Sequence, residues 1–274
     1  MNEQLTGGWS SVVILGIIEG LTEFLPISST GHLIITAHLL GETGNAATVF
    51  EIVIQLGAIA AICWHYRQRL IEMIGGLFNF NSAPARLAQQ LALAFLPAAV
   101  LGLLFHSTIK QHLFSPQTVA VALIIGGIII ILVERRKRPP QLFSLEEIGY
   151  RRALLIGCAQ SLALVPGVSR AGATIIGGMV CGLERKTAAE FSFLLALPTM
   201  FAAAGYDLYQ NSELLNPALA AQIAGGFVVA FIAALLTVRA LLAFVSRYPF
   251  TPFGWYRIVL GFVILLIPSV FGAA

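Results

Sequence analysis

Apolar residues run along this chain in long blocks, and the polar positions that interrupt them gather in a few places. A membrane-crossing helix needs about 20 predominantly apolar residues, with roughly 17 to 25 tolerated. Six blocks meet or approach that length: about 48–66, 88–106, 117–133, 191–206, 218–240 and 256–273. Backbone in hydrocarbon must satisfy its own hydrogen bonds, so these blocks are predicted to be helices. Pro97 in "AFLPAAVLGLLF" predicts a kink in the second. The glycines of "VALIIGGIIIILV" predict close helix packing in the third. Two further apolar stretches are broken by polar residues, prolines and glycines: the N-terminal one through "EGLTEFLPISSTGH" (19–32), and 153–183 through "VPGVSRAG".

Composition turns this pattern into a class. Of 274 residues, 58% are hydrophobic and 11% charged, where soluble domains carry roughly 25% charged residues. The chain is an integral membrane protein. Its N-terminus, "MNEQLTGGWS", lacks the basic region of a cleavable signal peptide. Cys63, Cys158 and Cys181 are scattered through apolar runs without metal-ligand spacing and read as packing residues. A net charge of +3 is too small to point to nucleic acid.

The distribution of charge says more than its sum. Six of the sixteen basic residues lie in 134–152, which the positive-inside rule places in the cytoplasm. Counting outward puts Arg67, Arg69, Arg86, Arg185, Lys186, Arg239 and Arg247 inside, and 106–116 and 207–217 outside. Residues 153–183 therefore leave and return on one side, and about 31 residues are too few for two comfortable spans. A re-entrant pair of half-helices fits. Sliding the chain by 141 positions aligns 16–57 with 157–198, with ten identities that include Gly16/Gly157, Ser28/Ser169 and Gly31/Gly172. The flanking spans of the two segments run in opposite directions, the mark of an inverted-topology repeat. The expected fold is an all-α polytopic membrane protein with about six transmembrane helices and two re-entrant broken-helix hairpins. It forms one membrane domain, 1–274, with repeats at about 1–133 and 153–274 joined by a cytoplasmic linker at about 134–152.

The two breaks carry the chemistry. Glu19 and Glu23 are four apart and share a helix face. Paired carboxylates in a membrane need compensation, which a divalent cation, a basic partner or a shared proton would supply. Ser28, Ser29, Thr30 and Gly31 follow Pro26, with Ser29 or Thr30 placed to cap the next helix and His32 just inside it. Hydroxyls and backbone N–H groups at such a helix start also suit anionic oxygens. The second break offers Ser169 and Arg170, with Gly172 allowing close backbone approach. Arginine stays protonated and binds phosphate bidentately. Each feature has a plainer reading: a serine–threonine string as a cap, His32 as a hydrogen-bonded structural residue, Arg170 as an ion-pair partner of Glu19 or Glu23. Gly16 and Gly20 suit helix packing. The coincidence of all these groups at two related breaks favours a phosphate site. The other class open to such an architecture is a lipid-phosphate transporter or translocase, which needs the anion site and no nucleophile.

"EGLTEFLPISSTGH" and "PGVSRAGATIIGG" closely resemble the signature stretches of the bacterial undecaprenyl pyrophosphate phosphatase family, the integral-membrane type linked to bacitracin resistance. "FEIVIQLGAIAAI" and "EFSFLLALP" are similar to that family too, and the resemblance spans essentially the whole chain. It implies hydrolysis of a polyprenyl diphosphate to its monophosphate and inorganic phosphate, recycling a lipid carrier for cell-wall synthesis. It also implies a divalent cation, Mg²⁺ or Ca²⁺, and a bacterial plasma-membrane enzyme whose site faces the outer side. Membrane lipid and the polyprenyl diphosphate are the partners expected, with a homodimer left open. The family's functional residues fall on Glu19, Glu23, Ser28, Ser29, Thr30, His32, Ser169 and Arg170. In this reading Glu19 and Glu23 hold the cation, while Ser28, Thr30, Gly31, Ser169, Arg170 and Gly172 bind the phosphates. Ser29 attacks phosphorus or positions a water, with His32 or Glu23 as its base.

Overall fold

The computed structural model describes residues 5–42, 44–76, 78–113, 115–136, 139–210, 213 and 217–266. Among the described residues, eleven α-helices follow one another: α1 (Gly8–Thr22), α2 (Ser29–Leu39), α3 (Asn45–His65), α4 (Arg67–Gly76), α5 (Ala83–His112), α6 (Pro116–Arg135), α7 (Gly149–Ser161), α8 (Arg170–Val180), α9 (Arg185–Gln210), α10 (Pro217–Val245) and α11 (Thr251–Leu266). Local chemistry sets several starts. Ser82 and Ser115 accept from the N–H of Ala85 and Thr118, and each is followed by a proline in the first turn, where its missing N–H costs nothing.

Among the described residues, five helices are long and apolar enough to cross a bilayer: Ala46–His65, Ala83–Phe105, Pro116–Arg135, Arg185–Gln210 and Leu219–Val245. The sixth expected block falls on α11, whose 16 described residues stop short of that length. Residues 267–273 of that block lie outside the described part. Helix α5 runs on through Pro97, and α9 through Pro198. Many large apolar side chains face outward, among them Leu103, Leu132, Leu236 and Val259. That is the surface hydrocarbon requires, and the chain is a multi-pass membrane protein.

Glycines decide how closely the helices approach. A Cβ on Gly127 of α6 would come within 2.5 Å of the Gly254 carbonyl of α11, so these two helices meet backbone to backbone. Gly16 and Gly20 of α1 sit against α10, and Gly157 of α7 against Ala94 of α5. Elsewhere α3 lies along both α10 and α9. The main core gathers Phe24, Phe191, Phe193 and Phe250 with Ile59, Ile62 and Leu194, all buried.

Residues 141–147 of the expected linker fold onto the bundle. Gln141 and Leu142 donate backbone hydrogen bonds to the Gly182 carbonyl, Glu184 donates to Leu142, and Leu142 and Leu183 form an isolated parallel bridge. A 3₁₀ turn at Leu145–Glu147 brings Glu146 to Arg69 beside α4. Glu134 accepts from Arg185 at 2.6 Å and from the Phe250 N–H at 2.7 Å, tying α6, α9 and the start of α11 together.

Candidate active site

Two helices stop inside the protein, and the chain leaves both of them in the same way. Helix α1 closes with the Glu23 N–H donating to the Glu19 carbonyl at 3.0 Å, and the chain turns through Phe24–Ile27 before α2 begins. Helix α7 ends in a short 3₁₀ turn, Leu162–Leu164, before α8 begins. The residue ahead of each second half-helix is a serine in the left-handed region: Ser28 at φ 74° and Ser169 at φ 65°. No other non-glycine residue in the described chain has positive φ. Such a conformation costs about 1–3 kcal/mol unless its surroundings enforce it. The Ser169 hydroxyl accepts from the Gly172 N–H at 3.1 Å and caps α8. At the first break the expected cap shifts by a residue. Ser28 occupies the cap position without a side-chain bond, so Ser29 is the first helical residue and Thr30, which is exposed, the second. His32 accordingly sits a full turn into α2.

The breaks meet through three side chains. The Ser29 hydroxyl donates to Glu23 Oε2 in a short hydrogen bond, and Arg170 Nη2 donates to Glu23 Oε1 at 3.0 Å. Acid and hydroxyl come from the first break and the guanidinium from the second, 147 positions away. Arg170 Nη1 donates to the Ser192 carbonyl at 3.3 Å and Nη2 also to Met200 Sδ at 3.1 Å, and the guanidinium lies over the Phe24 ring at 5.5 Å. Its Nε is buried without a partner among the described residues. An arginine has five N–H donors, so the pairing with Glu23 leaves hydrogen-bonding capacity for an anion.

Glu19 lies one turn behind Glu23, fully enclosed, with Oε1 unpartnered. A buried carboxylate oxygen without a donor fits a cation or a proton. The described residues contain no cluster of three or more histidine, cysteine or acidic side chains placed to hold a metal. Gly31 and Gly172 are buried in the first turns of α2 and α8.

His32 stands apart from this chain of contacts. Its Nδ1 lies 2.7 Å from the Ser28 carbonyl, which can only accept, so that nitrogen carries the proton. In the neutral ring Nε2 then accepts from the Tyr256 hydroxyl, also at 2.7 Å. Of the two bases considered for Ser29, the structure places Glu23 against it.

Two residues of α11 escaped the sequence reading. Tyr256 holds His32. Arg257, 1% exposed, reaches the backbone of both breaks: Pro26 of the first at 3.1 Å, and Gly167 and Val168 of the second at 3.0 and 3.2 Å. The signal available was a charge in the expected span 256–273, in a "GWYRIV" context that reads equally as an interfacial belt.

Fold and site together define a polytopic α-helical membrane protein with an enclosed polar centre assembled from two interrupted helices. A family model described as Bacitracin resistance protein BacA matches residues 12–263. The chain belongs to that family. It is 54% identical over 253 residues to an undecaprenyl-diphosphatase of Aromatoleum aromaticum, covering 92% of each chain. It is 49% identical over 257 residues to one of Methylococcus capsulatus, covering 94% of each. Against one of Acinetobacter baumannii the identity is 51% over 259 residues, covering 94% of this chain and 95% of the relative.

Proposed function

We infer that this protein hydrolyses undecaprenyl diphosphate to the monophosphate and inorganic phosphate, and so returns the lipid carrier to cell-wall synthesis. The observation that carries the mechanism is the contact chain Ser29–Glu23–Arg170. A nucleophile bonded to a base, with the base oriented by a third group, is the arrangement that activates a hydroxyl. Ser29 Oγ forms a bond to the terminal phosphorus and passes its proton to Glu23, while the anhydride oxygen leaves with the lipid monophosphate. Water then cleaves the seryl phosphate, and Ser29 regains its proton. Arg170 turns its uncommitted donors to the phosphate oxygens, aided by backbone N–H groups at the starts of α2 and α8. We assign the hydroxyls of Ser28, Thr30 and Ser169, on the sequence pattern, to the binding of further phosphate oxygens. A translocase would have no use for the bond between Ser29 and Glu23, which favours hydrolysis over transport.

A divalent cation, Mg²⁺ or Ca²⁺, would supply charge neutralisation on the diphosphate. Glu19, with its free oxygen, and Glu23 are the residues to hold it. Two carboxylates offer oxygen donors of the kind a hard cation would take. The family resemblance implies a bacterial inner membrane and a site open to the outer face, and the charge bias of the loops is consistent with that orientation.

The test is phosphate release by purified protein from farnesyl or undecaprenyl diphosphate in detergent, with and without EDTA. Release that EDTA abolishes and added Mg²⁺ or Ca²⁺ restores is expected. Diphosphate binding without release would favour the transporter. Undiminished release by Ser29→Ala would remove the covalent step and leave attack by water.

A further inference from the structure

Arg257 presents a problem of charge and a solution of geometry. Its Nε donates to Leu123 O at 3.3 Å, Nη1 to Pro26 O and Val168 O, and Nη2 to Ala122 O at 3.1 Å and to Gly167 O. Five bonds engage the five N–H groups a guanidinium has. Every acceptor is a main-chain carbonyl, and no carboxylate of the described residues lies within ion-pair distance of it. A cation held in a membrane interior without a counter-ion is costly. Two glycines make room for it: a Cβ on Gly126 would come within 2.2 Å of Nη2, and one on Gly172 within 3.1 Å of Nη1. An apolar side chain would fill this space at lower electrostatic cost, so filling space does not account for the residue.

We propose that Arg257 is a positioning residue for the hydrolytic reaction, tying the Pro26 backbone of the first break to the Gly167–Val168 backbone of the second and so fixing the gap in which Ser29 and Arg170 face a diphosphate. It touches neither Ser29 nor Arg170. Pro26 is three residues from Ser29, and Val168 two from Arg170, so the grip reaches both through very short lengths of chain. The peptide planes enforce the result. The described chain has no cis peptide, so a carbonyl turned towards Arg257 turns the following N–H the opposite way. For Val168 that N–H belongs to Ser169. Ser169 is thereby braced from behind, Ser28 is reached from Pro26 only through Ile27, and the uncompensated positive charge favours an anionic substrate. A lysine has three donors on a flexible stem and cannot reproduce five directed bonds.

This rests on the assignment of the chemistry to Ser29, Glu23 and Arg170, and the experiment separates the two. Arg257→Lys in lipid nanodiscs should lower kcat about 100-fold, as loss of alignment does, with KM for farnesyl diphosphate changed by less than about threefold. Hydrogen exchange should rise in peptides covering 23–30 and 165–172, with Ile54–Ile62 in the α3 core unchanged. Gly261→Ala is the control, because its Cβ would meet Ala120 O at 2.7 Å in the same α6–α11 seam without touching either break. At matched melting temperature it should keep far more activity. Arg257→Gln replaces the lysine variant if the latter is not recovered folded. The proposal is overturned by wild-type kcat in Arg257→Lys, by equal loss in the glycine control with uniform exchange, or by failure of both Arg257 variants to fold, which would make the residue a folding determinant alone. Ser29→Ala and Arg170→Ala run alongside: full turnover in both would undo the site assignment, while the exchange pattern would still decide the role of Arg257.

Discussion

At the scale of single residues, Glu23 is the hinge of the site, because its two oxygens are divided between Ser29 and Arg170. That division separates two variants. Ser29→Ala removes a hydroxyl and leaves the ion pair, so phosphate release should fall at least about 100-fold with no change in melting temperature. Glu23→Gln should lose comparable activity and also melt lower, since breaking a buried pair leaves an uncompensated charge worth about 3–5 kcal/mol. Turnover and a thermal melt on the same samples check both. Equal melting temperatures for the two variants would count against the pairing of Glu23 with Arg170. The sequence made these residues conspicuous because acids, hydroxyls and a guanidinium are out of place in apolar runs. It left open whether Glu23 or His32 serves Ser29, since that depends on Tyr256 arriving from 224 positions away to occupy the imidazole. Arg257 was hidden for a related reason: its partners are carbonyls, which every residue carries and no sequence displays.

At the scale of elements, the helices are placed by where side chains are absent. Gly157 of α7 lies so close to α5 that a Cβ would sit 2.2 Å from the Ala94 carbonyl. Gly157→Ala should therefore push α7 away and cost about 1–3 kcal/mol, read as a lowered melting temperature in detergent. The start of α1 is held differently, by Glu42, which accepts from the N–H groups of Thr6 and Gly7 at 2.9 and 2.7 Å and from the Thr6 hydroxyl. Burial works to raise this carboxyl, but the hydrogen bonds outweigh it and hold it below the ordinary carboxylate value. A group depressed on folding stabilises fully above its unfolded pKa, about 4.3, and loses that contribution as pH falls through its folded value. Glu42→Gln should thus melt below the wild type at pH 7 and converge with it towards pH 3. A constant difference across that range would rule out this role. Helix existence was readable from block length, whereas the terminus of α2 was not: a run of serines and threonine offers several caps, and the left-handed turn at Ser28 selects among them.

At the scale of the whole molecule, the long apolar helices and the two inner breaks agree with the pattern of the chain. What block lengths could not reveal is that Gln141 and Leu142 are docked by backbone hydrogen bonds onto the α8–α9 turn, because main-chain pairing leaves no compositional trace. The expected sidedness has a direct check. On a cysteine-free background, a cysteine at the exposed Tyr209 should react with an impermeant maleimide in intact cells. One at the exposed Phe143 should react only after the membrane is opened. The reverse pattern would turn the protein over and place the site on the cytoplasmic face.

The bond from Arg257 to Pro26 spans 231 positions, nearly the full length of the chain. A ribosome finishes the first break early and the strut that braces it almost last. A nascent chain that has threaded ten of its helices already carries serine, acid and guanidinium, yet lacks the grip of Arg257 on the backbone of their two loops. Turnover should begin only when translation delivers the final helix, and fragments ending before residue 257 should sit in the bilayer without consuming lipid.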